Sequence, residues 1–96
     1  MKFEDVWILI KKIPRGRVTT YKELARVLGT KAYRAIGNAC NKNPYSDVPC
    51  HRVIKSNGEI GGFARGVEEK IRLLEKEGVK IIDGKIDLKK YFFKFV

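Results

Sequence analysis

Between Thr20 and Asn41 the sequence spells two short helices joined by a glycine turn, and that pairing limits the fold more than any other feature. Thr20-Tyr21-Lys22-Glu23 is a capping box, in which the Thr20 hydroxyl accepts a helix N–H while Glu23 reaches back to the helix start. The helix runs to Leu28, and Gly29 supplies the left-handed residue that ends it. From Lys31 to Asn41, Ala32, Ala35, Ile36 and Ala39 recur as a buried stripe, leaving Lys31, Arg34, Asn38 and Asn41 to the other face. Upstream, Phe3, Val6, Trp7, Ile10 and Ile13 recur at spacings of three and four. They predict an amphipathic helix from Glu4 to Ile13, stopped by Pro14 and Gly16, with Trp7 in the core. The expected fold is mainly α: a winged-helix-like helix-turn-helix domain with a small amount of β-strand, whose second helix is the one shaped to enter a DNA groove.

A chain of 96 residues has room for one hydrophobic core, so residues 1–96 are read as a single domain. Its longest apolar runs, Val6–Ile10 and Tyr91–Phe93, are too short to span a bilayer. With no secretory leader in the sequence, a reducing cytoplasm is expected, and with it free thiols at Cys40 and Cys50. The net charge is +10, and it is unevenly spread. Lys11–Lys42 holds nine cations against one anion, whereas Met1–Ile10 is net −1. A concentrated basic block attracts polyanions, and nucleic acid is the partner it fits; a merely solvated lysine face is the plainer alternative.

The second half is punctuated differently. Asn43-Pro44, Asp47, Pro49, Asn57-Gly58 and Gly61-Gly62 interrupt one short strand candidate, Arg52–Ile54, so irregular backbone should surround Cys50. Val67, Ile71, Leu73 and Leu74 mark a helix to about Glu77, ended by Gly78. Val79–Ile82 and Lys85–Leu88 flank Asp83-Gly84, a pair suited to a type I′ hairpin turn. The aromatic tail Tyr91–Val96 should dock on the body.

Pro49-Cys50-His51-Arg52-Val53 is the segment that carries chemistry. A thiol beside an imidazole and a guanidinium lies in a field that favours thiolate, the nucleophilic form. An inert buried cysteine is the competing reading. Neighbouring side chains in extended backbone point apart, so His51 can serve the sulfur only through a turn or a bridging water, with a carboxylate behind it. Glu77 is the candidate carboxylate. One histidine and two cysteines do not make a four-ligand zinc pattern, and neither metal nor cofactor is expected.

Taken in order, Gly16-Arg17-Val18-Thr19-Thr20-Tyr21, Leu24-Ala25, Arg34-Ala35-Ile36-Gly37, Asn43-Pro44, Pro49–Val53, Gly62-Phe63 and Glu77-Gly78 resemble the O6-alkylguanine-DNA alkyltransferases, also called methylated-DNA–protein-cysteine methyltransferases. The resemblance runs from Phe3 to Gly78 and is to the family's C-terminal, active-site domain. It implies DNA repair by a single-turnover cysteine S-methyltransferase: an alkyl group moves from O6-alkylguanine in duplex DNA to the protein's own cysteine, irreversibly, after the nucleotide is flipped out.

Residue by residue, the resemblance makes Cys50 the acceptor, His51 its base through a water, Glu77 the group orienting the imidazole, and Asn43 the brace of the turn. Tyr21 would crowd the phosphate beside the lesion, and Arg34 would fill the vacated stack. Lys22, Ser56 and Arg52 complete the implied DNA-binding set. Tyr21, Val53, Phe63 and Ala64 would surround the guanine, with the carbonyls of Cys50 and Val53 accepting its amino group. Cys40 has no role in this scheme. Phe63 and Ala64 depart from the family's usual residues, which bears on substrate range. The family's N-terminal domain has no counterpart, and the tail Tyr91–Phe95 is expected to cover the surface it would shield. Monomeric action on double-stranded DNA is implied. The alkyltransferase-like proteins, which recognise the lesion without transfer, are the alternative; they carry another residue, commonly Trp, where this chain has Cys50.

Overall fold

A computed structural model describes residues 1–95; Val96, the end of the expected docking tail, lies outside the described residues. The first three helices, α1 (Phe3–Ile10), α2 (Tyr21–Leu28) and α3 (Tyr33–Asn41), pack on one another. Val6, Ile10, Leu24, Ile36 and Ala39 are fully enclosed between them. Truncating a buried leucine or isoleucine here to alanine would cost about 2–5 kcal/mol.

α1 ends three residues before the sequence pattern predicts. Lys12 and Ile13 donate to Leu9 and Ile10, i to i−3, because a residue that precedes proline is pushed out of the α region. Ile13 is still buried, which is what the apolar spacing reported. Trp7 lies at the margin of the core, half-buried, and donates its indole N–H to the Ala39 carbonyl at 2.9 Å.

The Thr20 hydroxyl does cap α2, accepting from the Glu23 N–H at 3.0 Å, and Gly29 ends the helix at φ +67°. The other half of the capping box is absent. Glu23 turns its carboxylate to the Arg26 guanidinium, two bonds of 2.8 Å, and to the Phe95 N–H at 2.9 Å. α3 begins two residues later than the pattern indicates, and Ala32 is exposed, outside the buried stripe. Its N–H is taken by the Thr30 hydroxyl, a local turn that competes with helix.

β1 (Thr19–Thr20) pairs in parallel with β2 (Val53–Ile54), and the tail adds a parallel bridge from Val18 to Phe92. This small sheet separates the α1–α3 core from a second cluster, in which α4 (Val67–Lys76) buries Leu74 against Val18, Ile54, Ile60 and Val79. Val67, expected inward, is 45% exposed; Lys70 takes the buried position instead. β3 (Ile81–Ile82) and β4 (Lys85–Ile86) form the expected hairpin, with Asp83 and Gly84 both at positive φ. Gly58 is required beneath it: a Cβ there would lie 2.8 Å from the Ile86 carbonyl. After α5 (Leu88–Tyr91), Phe95 enters the first core and Tyr91 the second, so the tail docks as expected. The fold is mainly helical, a helix-turn-helix with two small sheets. Among the described residues no helix is long and apolar enough to cross a membrane.

Candidate active site

Cys50 opens a single 3-10 turn, Cys50–Arg52, placed between α3 and β2. Pro49 and the bond from the Cys50 N–H to the Val48 carbonyl, 2.9 Å, fix the entry to this turn. Asn43 ties the preceding loop together. Its Nδ2 donates to the carbonyls of Tyr45 and Val48, both at 3.0 Å, and reaches the Cys50 Sγ at 3.4 Å, while its Oδ1 accepts from the Tyr45 N–H. The sulfur faces a cavity of about 570 Å³ whose wall includes Cys40, Asn43, His51, Phe63 and Ala64. That volume is in the range of small-ligand sites.

Behind the turn, His51 Nε2 lies 2.8 Å from Glu77 Oε2 at the end of α4. Arg52 closes on the same carboxylate with Nε at 2.9 Å and Nη2 at 2.8 Å, and gives Nη1 to the Ile13 carbonyl. Burial works to raise the Glu77 carboxyl, but the Arg52 guanidinium and His51 outweigh it and bring it down to about 2. An ionised carboxylate must accept, so His51 donates through Nε2 and its other ring nitrogen is left as an acceptor. Burial also lowers the imidazole below its ordinary value, keeping it neutral and basic in form.

Cys50 itself is shifted down. The Cys40 thiol is the largest cause, followed on the same side by Asn43 and the Lys70 ammonium, all opposing burial. Lys70 is wholly enclosed, donating to the Val53 carbonyl at 2.7 Å and the Gly62 carbonyl at 3.1 Å. Burial brings its ammonium down to about 8, against the pull of the two thiols. Its Nζ also sits 5.9 Å from the centre of the Tyr21 ring. Burial, reinforced by the thiols, pushes the Tyr21 hydroxyl well above its ordinary value, so it stays a neutral donor.

The expected residues thus divide. Cys50, His51, Glu77 and Asn43 come together, and Phe63 and Ala64 line the cavity. Tyr21 and Val53 are not on that wall: Tyr21 packs toward Lys70, and the Val53 side chain is fully buried. The carbonyls of Cys50 and Val53 already accept from the Val53 N–H and from Lys70, leaving one lone pair each. Lys22, Arg34 and Ser56 are exposed. Arg52 departs from its expected place among the DNA-binding residues, since its guanidinium is turned inward and its side chain is only 15% exposed. Lys70 and Cys40 carry no role in the sequence-based expectation. Lys70 shares a helical face with Leu74, and a cation on an apolar stripe is the pattern that marks it.

The model of the 6-O-methylguanine DNA methyltransferase, DNA binding domain, matches residues 2–79, a stretch that contains Cys50, His51 and Glu77. The chain belongs to that family. A methylated-DNA–protein-cysteine methyltransferase of Saccharolobus islandicus is 58% identical over 73 residues, 75% of this chain and 47% of that protein. A bifunctional methyltransferase/endonuclease of Picrophilus torridus is 46% identical over 93 residues, 95% of this chain and 31% of the relative. The chain therefore spans less than half the length of these curated relatives. Among solved structures, S. pombe Atl1 in complex with damaged DNA containing O6-carboxymethylguanine superposes with a TM-score of 0.86 at 34% identity, covering 97% of this chain and 94% of that one. The O6-methylguanine-DNA methyltransferase of Pyrococcus kodakaraensis superposes with a TM-score of 0.73 at 47% identity, over 80% of this chain and 46% of the other.

Proposed function

We propose that this chain is the active-site domain of an O6-alkylguanine-DNA alkyltransferase, acting on double-stranded DNA in the cytoplasm, and that Cys50 accepts the alkyl group. The carrying observation is the sulfur itself: Cys50 lies on a cavity wall, contacted by Asn43 and backed by the His51–Glu77–Arg52 network. His51, through a water, takes the thiol proton; the thiolate attacks the alkyl carbon, an S–C bond forms and the C–O6 bond breaks. Guanine leaves as an anion and regains one proton, so alkyl donor plus thiol becomes guanine plus thioether. The thioether has no anionic form, and the protein acts once.

The target carbon is hidden in a duplex, so the nucleotide must leave the stack at a cost of a few kcal/mol. In this reading Arg34, exposed on α3, fills the gap, and Tyr21, at the start of α2, presses on the neighbouring phosphate. Lys22 and Ser56 contact the backbone, and Phe63, Ala64 and the free lone pair of the Cys50 carbonyl hold the flipped base.

A second reading, lesion recognition without transfer, has the superposition on Atl1 across nearly the whole of both chains in its favour. Cys50 supports transfer over it. Intact-protein mass after incubation with an O6-methylguanine duplex separates the two. Transfer adds one methyl group, mapped to the peptide containing Cys50; unchanged mass in a protein that binds the duplex would leave recognition alone.

A further inference from the structure

The wall of the Cys50 cavity carries three cationic side chains, Lys11, Arg52 and Arg65. Two of them are engaged: Lys11 pairs with Asp47 at 3.1 Å, and Arg52 with Glu77 at 2.8 Å. Arg65 is not. Among the described residues it makes neither an ion pair nor a hydrogen bond, and its guanidinium lies over the ring of Phe63, 5.5 Å from the ring centre. We propose that Arg65 is a specificity-determining residue that favours O6 substituents bearing a carboxylate, so that the substrate class of this site includes anionic O6-alkylguanines, with O6-carboxymethylguanine the simplest of them. The inference rests on the reading of Cys50 as acceptor and adds a preference among the alkyl groups it takes.

The local chain holds this cation in place. Arg65 is the third residue of a turn, Phe63–Gly66, closed by the Gly66 N–H on the Phe63 carbonyl at 3.0 Å. Lys70 anchors the turn at both ends, its ammonium on the Gly62 carbonyl at 3.1 Å and its backbone N–H on the Gly66 carbonyl at 3.2 Å. The Phe63 ring attracts the guanidinium but takes up none of its hydrogen bonds, so its N–H donors remain for a ligand. The carboxylates nearby are already committed: Asp47 to Lys11, Glu77 to Arg52 and His51, and Glu69, in the first turn of α4, to Arg72. None competes for Arg65. A methyl group offers a guanidinium nothing, whereas a carboxylate matches it in charge and in its planar pair of acceptors. The transfer balances as before. The Cys50 thiolate attacks the methylene carbon, the S–C bond forms and the C–O6 bond breaks, guanine leaves with the electron pair and regains a proton, and the carboxylate stays ionised on the thioether.

The test uses the full chain with two duplexes of one sequence, one holding O6-carboxymethylguanine and the other O6-methylguanine, and compares wild type with Arg65→Gln and Arg65→Lys. Single-turnover rates at saturating duplex, followed by intact mass, give the ratio of carboxymethyl to methyl transfer. Both duplexes carry the same phosphates, so a contact of Arg65 with the DNA backbone cancels in that ratio. Arg65→Gln should lower the ratio about five-fold, the size of an ion pair open to solvent. Arg65→Lys keeps the charge and should retain most of the preference, an outcome that a packing role for the arginine would not produce. A ratio unmoved in Arg65→Gln, or lowered as far in Arg65→Lys, overturns the proposal. If wild type transfers neither group, the acceptor reading is the part that falls, and the affinities of the two duplexes then judge Arg65. A preference for the carboxymethyl duplex that Arg65→Gln loses sustains its role; equal affinities in wild type overturn it.

Discussion

The sulfur site and the outer face of the helix-turn-helix use charge in opposite ways. Behind Cys50 the enclosed charged groups are engaged within the protein: Glu77 by Arg52 and His51, Arg52 by Glu77 and Ile13, Lys70 by two carbonyls. On the exposed side of α2 and α3, Lys22 and Arg34 stand in solvent, within the stretch that carries most of the positive excess. An enclosed, paired network holds its geometry before substrate arrives, which is what a reaction needs. An open basic face attracts a polyanion of any sequence, which is what a lesion search needs. Chemistry and binding should therefore separate under substitution.

The sharpest break comes from Cys50→Ala. It should abolish methyl transfer while leaving duplex affinity unchanged, as read by intact mass and by a binding titration; loss of binding in parallel would mean the two regions are not separable. Next is Glu77→Gln, which leaves the enclosed Arg52 without its anion and should destabilise the protein by about 3 kcal/mol. The sign of its pH dependence is fixed by the carboxyl lying at about 2, below its unfolded value of 4.5. The stabilisation is complete above about pH 4.5 and is lost as pH falls toward about 2. Denaturation of wild type and variant across that window should converge at the acidic end. Parallel curves would show that Glu77 is not the group titrating.

Local features were legible and long-range ones were not. The Thr20 cap, the Gly29 stop and the Asp83-Gly84 turn each depend on residues a few positions apart, and each is where the sequence puts it. His51 and Glu77 were each legible, the one from the Cys50 segment and the other from its place at the end of the Val67–Leu74 pattern, but their contact across a separation of 26 residues follows from no local spacing and comes from the fold. Four features arise from tertiary contact alone: the β1–β2 pairing, the bond from Phe95 to Glu23, the inward turn of Arg52 and the burial of Lys70. Glu23 shows how such a contact overrides a local rule. The tail and Arg26 offer its carboxylate three bonds where the capping box offers one.

A subtler separation is expected at Arg34. Its exposed place on α3 predicts that Arg34→Ala slows repair of a duplex lesion about ten-fold, the share of the unstacking cost that a plug offsets. Reaction with the free base O6-benzylguanine, which needs no flipping, should be unchanged wherever that base is a substrate of the wild type. His51→Ala supplies the contrast, slowing both substrates. Equal losses on both in the arginine variant would remove Arg34 from flipping and place it in the pocket.

The smallest effect concerns binding alone. Lys22 is exposed at the start of α2, next to Tyr21, so a phosphate contact there displaces one condensed counterion. Lys22→Ala should lower duplex affinity only a few-fold and equally for damaged and undamaged DNA, since a phosphate contact carries no base information. The slope of log affinity against log salt should become shallower by about one. Single-turnover transfer at saturating duplex should stay at the wild-type rate, because the sulfur network does not include Lys22. A slower saturated rate would mean that the basic face also positions the lesion. A slope left unchanged would return Lys22 to the solvated surface and shift the electrostatic contact to the neighbouring cations of the Lys11–Lys42 stretch.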